Sequence, residues 1–385
     1  MRVLVASGPG AGHALPLLPF VAALAERGDD VLLVVAPELE ATAQATGQPY
    51  RLGARPPADE LDALWARFGE APPGEAAVIA NREIFGRLNT AAMLPAMQDA
   101  VASWRPDAVL REPCEYASAI TALGAGIPHA QVGISQAAIE ASATELVAPA
   151  LTPYGDDVVP ELLAAPYLTR FPARLDPSPY AETWRYREAM PAPRQLPDCW
   201  PGRDGPLVYI TFGSVAGSLP VVRSVFATAL AAVADLEARV LVTVGRDVDI
   251  AVLGPVAANT RVEAWMPQED VLAHAALVVC HGGSGTTFGA LAAGIPLVFV
   301  PMFADQRPNA ERVVELGAGV IVAPMRDADG GMAGLTAGDA PRLRAAIDTV
   351  LEDRSSASAA AAIAADMAAA PPISGLLNRL AAIVS

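Results

Sequence analysis

Short apolar runs alternate with stretches of helical period along most of the chain. The first run, residues 2–6, leads into Gly8-Pro9-Gly10-Ala11-Gly12-His13 and a helix-like stretch to Arg27, which Gly28 is placed to close. Further runs predict strands at 31–35, 108–110 and 129–133. The pattern restarts at 207–212 and continues at 240–244, 261–265, 276–280, 297–300 and 320–322. These later runs show little polar alternation, as expected of strands buried on both faces. Helical periods fall between them, at 221–234 and 309–316 among others. Strands alternating with helices imply βαβ units and parallel sheets, an α/β chain.

The two series predict two domains, which 385 residues can supply with a core each. The first is placed at 1–198, a linker at 199–206 and the second at 207–370. A stretch rich in Pro and aromatic residues lies between the series, at 149–206, and includes Tyr154. Residues 55–75 carry chain breakers together with Trp65 and Phe68, and read as a loop or helix over the first domain. The alanine run at 357–370 reads as a helix, since Ala is the best helix former. Pro371 and Pro372 end it, and a last amphipathic helix follows at 374–383.

Charge and composition narrow the function. The net charge of −16 disfavours nucleic acid and anionic membrane surfaces as partners. There is no Lys, which excludes a Walker-type phosphate loop. The three cysteines, Cys114, Cys199 and Cys280, are odd in number and far apart. The four histidines form no His-x-x-x-His pair, so no metal site is expected. No apolar run approaches a membrane span and no signal-peptide pattern opens the chain. A soluble cytoplasmic protein is the expectation.

The strongest chemical signal is Val278-Val-Cys-His281-Gly-Gly283-Ser284-Gly285-Thr286, a buried strand running into a glycine turn that starts a helix. Glycines admit an anion close to the backbone, and the helix N-terminus offers free N–H groups and a favourable dipole. A glycine turn alone would need no ligand. Here Trp265-Met266-Pro-Gln268 precedes it, and Pro301-Met-Phe-Ala-Asp305-Gln306-Arg-Pro-Asn309 follows it. All three lie at carboxyl ends of predicted parallel strands, where open α/β sheets bind ligands.

Together these segments resemble the donor signature of the inverting family 1 glycosyltransferases, which include bacterial antibiotic-tailoring enzymes. The resemblance implies a GT-B fold: two Rossmann-like domains with parallel sheets facing across a cleft, and a last segment, 371–385, returning to the first domain. It implies that His281, Gly283, Ser284, Gly285 and Thr286 hold the diphosphate of a nucleotide sugar, with Ser214 adding a contact. Trp265 would stack on the base, Met266 read its edge, and Asp305 and Gln306 bind the sugar. The co-substrate would be a TDP-sugar and no metal cofactor would be needed.

In the first half the turn ending in His13 is similar to that of the family, in which this His is the general base. Many relatives pair it with an Asp after the fourth strand. This chain reads Val109-Leu-Arg-Glu112-Pro-Cys-Glu115, which makes Glu112 the candidate and Glu115 the reserve. Gly12, Trp65, Phe85, Glu115 and Tyr154 are the expected acceptor contacts, and a small hydrophobic natural product the expected acceptor. Homodimerisation is left open. An NAD enzyme is disfavoured, because Gly8-x-Gly10-x-x-His13 lacks the third glycine of the dinucleotide fingerprint. Asp247-Val-Asp249 and Asp327-Ala-Asp329 read as surface charges. A nucleotide-sugar 2-epimerase on the same fold, and a catalytically silent homologue, are the alternatives.

Overall fold

The computed structural model describes residues 1–385 except 190–191, 197–199, 201–203, 214–219, 247, 304, 325–333 and 385. Ser214, Asp247, Asp327 and Asp329 lie outside the described residues, as does much of the expected linker. The chain forms two compact units, Met1–Glu188 with Ala369–Ser385, and Ala189–Ala368. The first unit thus ends before residue 198. Residues beyond Glu188 are tied to the second unit where the Arg194 N–H donates to an Asp270 carboxylate oxygen at 2.8 Å.

The first unit holds a seven-stranded sheet in the order β3-β2-β1-β4-β5-β6-β7. Its strands are β1 (Arg2–Ser7), β2 (Asp30–Val35), β3 (Tyr50–Leu52), β4 (Ala108–Arg111), β5 (His129–Val132), β6 (Tyr167–Thr169) and β7 (Thr183–Arg185). Each neighbouring pair is parallel. Alternation along β1 sends its side chains into two cores. Val3 and Val5 pack with Phe20, Leu24 and the closing helix Ile373–Val384, through Leu376 and Leu380. Leu4 and Ala6 pack with Met93 and Met97 of helix Thr90–Trp104. The last helix therefore belongs to the first unit, because its apolar face covers the side of the sheet that helix Leu18–Arg27 leaves incomplete.

The Pro- and aromatic-rich stretch 149–206, for which the sequence predicts no strand, contributes β6 and β7. Neither shows a sustained apolar run, and only the pairing of β6 to β5 and of β7 to β6 reveals them. Residues 55–75 become helix Ala58–Glu70 and the start of helix Pro73–Val78, which runs on as a π-helical stretch, Ile79–Asn89.

The second unit holds a six-stranded sheet in the order β10-β9-β8-β11-β12-β13. The strands are β8 (Leu207–Thr211), β9 (Arg239–Thr243), β10 (Thr260–Glu263), β11 (Ala275–Cys280), β12 (Leu297–Phe299) and β13 (Gly319–Ile321). All pairs are parallel. β8 is buried along its whole length and packs with helix Pro220–Val233 through Val225 and Phe226. Both sheets place their first and fourth strands side by side at the centre. Connections leave these two strands in opposite directions, and the crevice so formed is where such sheets bind ligands. Among the described residues no helix is long and apolar enough to cross a membrane.

Candidate functional site

In the first unit the loops after β1 and β4 flank the switch point. The turn after β1 runs through Gly8 and Gly10 into the short helix Ala11–Ala14, which carries His13. The loop after β4 carries Glu112, which is fully buried. His13 Nδ1 lies 3.1 Å from Glu112 Oε2. The Gly8 N–H donates to Oε1 at 3.2 Å and the Cys114 N–H to Oε2 at 2.6 Å. Burial by itself would raise the pKa of Glu112. The charge and close contact of His13, with the N–H groups of Cys114 and Gly8, outweigh it and leave the pKa below the ordinary value. Glu112 is therefore a carboxylate beside a partly exposed imidazole.

Sequence reasoning left Glu112 and Glu115 as alternatives, and the packing separates them. Glu115 is the N-cap of helix Tyr116–Ala125, where its Oε2 accepts from the Ser118 N–H at 3.0 Å. It is 2% exposed, which removes it from the expected acceptor contacts. Arg111, at the end of β4, sets the path of this loop. Its fully buried guanidinium donates through one nitrogen to the carbonyls of Glu112, Pro113 and Glu115, and through the other to Gln131 Oε1. Neither Arg111 nor Gln131 was singled out from the sequence. The signal present was a charged residue ending an otherwise apolar buried strand.

The other expected acceptor contacts divide. Phe85 sits with its ring centroid 5.1 Å from that of His13. Gly12 is exposed in the same turn as His13. Tyr154 packs half-buried against the cluster of Tyr116, Val147 and Leu151, to which Phe85 also belongs. Trp65 is 43% exposed on helix Ala58–Glu70, edge-on to Phe68.

In the second unit β11 ends at Cys280 and helix Ser284–Ala292 begins four residues later, with His281, Gly282 and Gly283 as the turn. The His281 ring is wedged between two glycines. A Cβ at Gly213 would lie 3.0 Å from the ring, and one at Gly283 would lie 2.4 Å from Nε2. Desolvation presses the His281 pKa down to about 4, although the Asp305 charge opposes this. The ring is neutral at pH 7, with one N–H to donate. Its buried Nδ1 has no hydrogen-bond partner among the described residues. Gly285 is exposed at the first turn of the helix, and Ser284 and Thr286 are nearly buried beside it.

The loop after β12 is fastened to this turn. Ser284 Oγ donates to Asp305 Oδ2 at 2.8 Å. Asn309 Nδ2 reaches the Gly282 carbonyl, Ser284 Oγ and Asp305 Oδ2, each at 3.0 Å. Gln306 Oε1 accepts from the N–H groups of Met302 and Phe303 at 2.8 and 3.1 Å. The side-chain oxygen of Gln306 is thus engaged in shaping the loop. Asn309 was part of the motif, yet its role as the tie between the two segments needed the fold. After β10, Trp265 is 44% exposed, and the Arg246 guanidinium lies over its ring at 3.5 Å from the centroid. Met266 is half-buried beside it.

The family model for the C-terminal domain of erythromycin biosynthesis protein CIII-like proteins matches residues 227–383. The chain is 32% identical to an elloramycin glycosyltransferase of Streptomyces olivaceus over 343 residues, covering 83% of this chain and 85% of the relative. It is 33% identical to an L-demethylnoviosyl transferase of Streptomyces niveus, with 83% and 84% covered. Among solved structures it is similar to the glycosyltransferase SnogD of Streptomyces nogalater, with TM-score 0.77, 24% identity, and 100% and 99% of the two chains covered. It is likewise similar to a spinosyn rhamnosyltransferase complexed with thymidine diphosphate, with TM-score 0.79, 23% identity, and 99% and 100% covered. The chain belongs to the natural-product glycosyltransferases of family 1, and it is a glycosyltransferase of GT-B fold.

Proposed function

We propose that this enzyme transfers a sugar, a deoxysugar by preference, from a TDP-sugar to a hydrophobic natural-product aglycone, with inversion at the anomeric carbon. The observation that carries this reading is the approach of His13 Nδ1 to Glu112 Oε2 at 3.1 Å, at the switch point of the first sheet. Glu112 keeps the proton on Nδ1, so that Nε2 presents its lone pair. Nε2 takes the hydroxyl proton as the acceptor oxygen bonds the anomeric carbon, and the bond from that carbon to the diphosphate breaks. The buried carboxylate stabilises the imidazolium that forms. The nucleoside diphosphate leaves toward Gly283, Ser284, Gly285 and Thr286, where N–H groups, hydroxyls and neutral His281 receive the charge without a metal.

Support for a thymidine nucleotide comes from the spinosyn enzyme, whose structure holds thymidine diphosphate. Support for the acceptor comes from the elloramycin glycosyltransferase and from a spinosyn rhamnosyltransferase structure complexed with spinosyn aglycone. The test is thermal unfolding with TDP, UDP, GDP or NAD, each with and without EDTA. A ligand at a hundred times its Kd stabilises by about 2.7 kcal/mol. Stabilisation by TDP above the others, unchanged by EDTA, is expected. A response to NAD alone would refute the reading.

A further inference from the structure

The loop after β4 brings a third side chain to the dyad. The Cys114 sulfur, a His13 ring nitrogen and a Glu112 carboxylate oxygen all lie within 4.8 Å of one another. Thiolate, imidazole and carboxylate are the ligand types of zinc, with bonds of about 2.0–2.3 Å, so a tetrahedral zinc holds such atoms roughly 3.5 Å apart. His13 and Glu112 already stand at 3.1 Å, and a small opening of the pair admits the ion. The carboxylate is fixed from behind by the N–H groups of Gly8 and Cys114, the outer support that a metal-binding carboxylate needs. His13 and Cys114 are partly exposed as residues while Nδ1 itself is buried, so the ion enters as the pair opens, with water as a fourth ligand.

We propose that His13, Glu112 and Cys114 form a zinc site whose occupation shuts off sugar transfer. The shut-off rests on the reading of His13 as general base, whereas the binding does not. Zinc takes the lone pair of Nδ1, and the proton that Nδ1 carried is transferred through solvent to Nε2. The ring stays neutral, but Nε2 is now an N–H and has no lone pair for the acceptor proton. Cys114 releases its thiol proton to solvent and binds as thiolate. Zinc here opposes catalysis, the reverse of a metal that assists a leaving diphosphate. Magnesium, which favours oxygen ligands and keeps its waters, does not compete for this set.

The experiment uses the full chain freed of metal with a chelator. Cobalt(II) is titrated and followed by its thiolate-to-cobalt charge-transfer band, zinc binding is measured by calorimetry, and transfer is assayed against zinc. The expected result is one zinc per chain, a charge-transfer band, and transfer abolished by zinc and restored by EDTA. In Cys114→Ser the band disappears and zinc affinity falls by more than about tenfold, since loss of an outer partner alone costs 10–100-fold. The zinc inhibition curve, normalised to the variant's own metal-free rate, moves by the same factor. His13→Ala weakens zinc binding as well. Absence of the band, or equal zinc affinity in Cys114→Ser, overturns the site. Bound zinc with undiminished transfer overturns the shut-off. If no donor supports transfer, the cobalt band still decides the site, so failure of the functional reading is told apart from failure of this one.

Discussion

A methyl group at Gly283 would sit 2.4 Å from Nε2 of His281, closer than any side-chain carbon is tolerated. Gly283 is thus needed less for its own conformation than for the ring it leaves room for. Gly283→Ala should displace the imidazole while the buried strand β11 and the helix Ser284–Ala292 keep their packing. A hydrogen bond to a charged group contributes about 1.5–3 kcal/mol, so TDP affinity should fall roughly 10- to 150-fold. Calorimetric titration with TDP checks this, with His281→Ala as the comparison. Unaltered affinity in both variants would remove His281 from the diphosphate site.

His13→Ala should lower transfer by about 10²–10⁴-fold, the usual contribution of a positioned general base. Glu112→Gln should reduce it too, since a neutral amide cannot stabilise the imidazolium. TDP binding in either variant should match the parent protein, because the proposed diphosphate and base contacts all lie on the second unit. Steady-state rates and a TDP titration on the same preparations separate the two effects. Retained transfer in His13→Ala would favour a silent dyad and another base.

Arg246 covers one face of Trp265, which leaves the other for the nucleotide base that the proposed donor site would stack there. Trp265→Ala should abolish the preference among TDP, UDP and GDP along with most of the affinity. Arg246→Ala should cost much less, since an exposed cation–π contact is worth about 0.5–1 kcal/mol. Competition between nucleotides, read by calorimetry, distinguishes these outcomes. Equal losses in both variants would mean that the guanidinium itself binds the nucleotide.

Glu140 provides a pH test. Its Oε1 accepts from the N–H groups of Ile134 and Ser135, and its surroundings include Tyr167, Asp176, Tyr180 and Cys114. Desolvation is the largest cause that raises its pKa from the ordinary 4.5 to about 8. Between these values the folded state holds a proton that the unfolded state has lost. Stability from this group is therefore full below pH 4.5 and declines as pH rises toward about 8. Glu140→Gln should flatten that decline, and should be relatively more stable than the parent protein at pH 8 than at pH 5. Urea unfolding at the two pH values measures it. An identical pH dependence in both proteins would show that Glu140 ionises normally.

The alternation of apolar runs and helical periods made the two parallel sheets legible, because burial on both faces leaves a continuous apolar signature in a single strand. The glycine turn at 282–285 and the positions of His13, His281 and Asp305 were legible as well, since each sits directly after a strand in a local motif. β3, β6 and β7 were not, because each lies in a stretch broken by Pro and polar residues, without the apolar run that marks the equally short β12 and β13, and only pairing reveals them. Nor could spacing choose between Glu112 and Glu115, three residues apart on one loop. That choice was made by the buried Arg111, which gathers the carbonyls of the loop and leaves one carboxylate to His13 and the other to a helix end. The sequence by itself determined which elements form and which chemistry stands at their ends. Tertiary structure alone decided which side chains meet there, because buried polar groups take their partners from whatever distant segments the packing brings within reach.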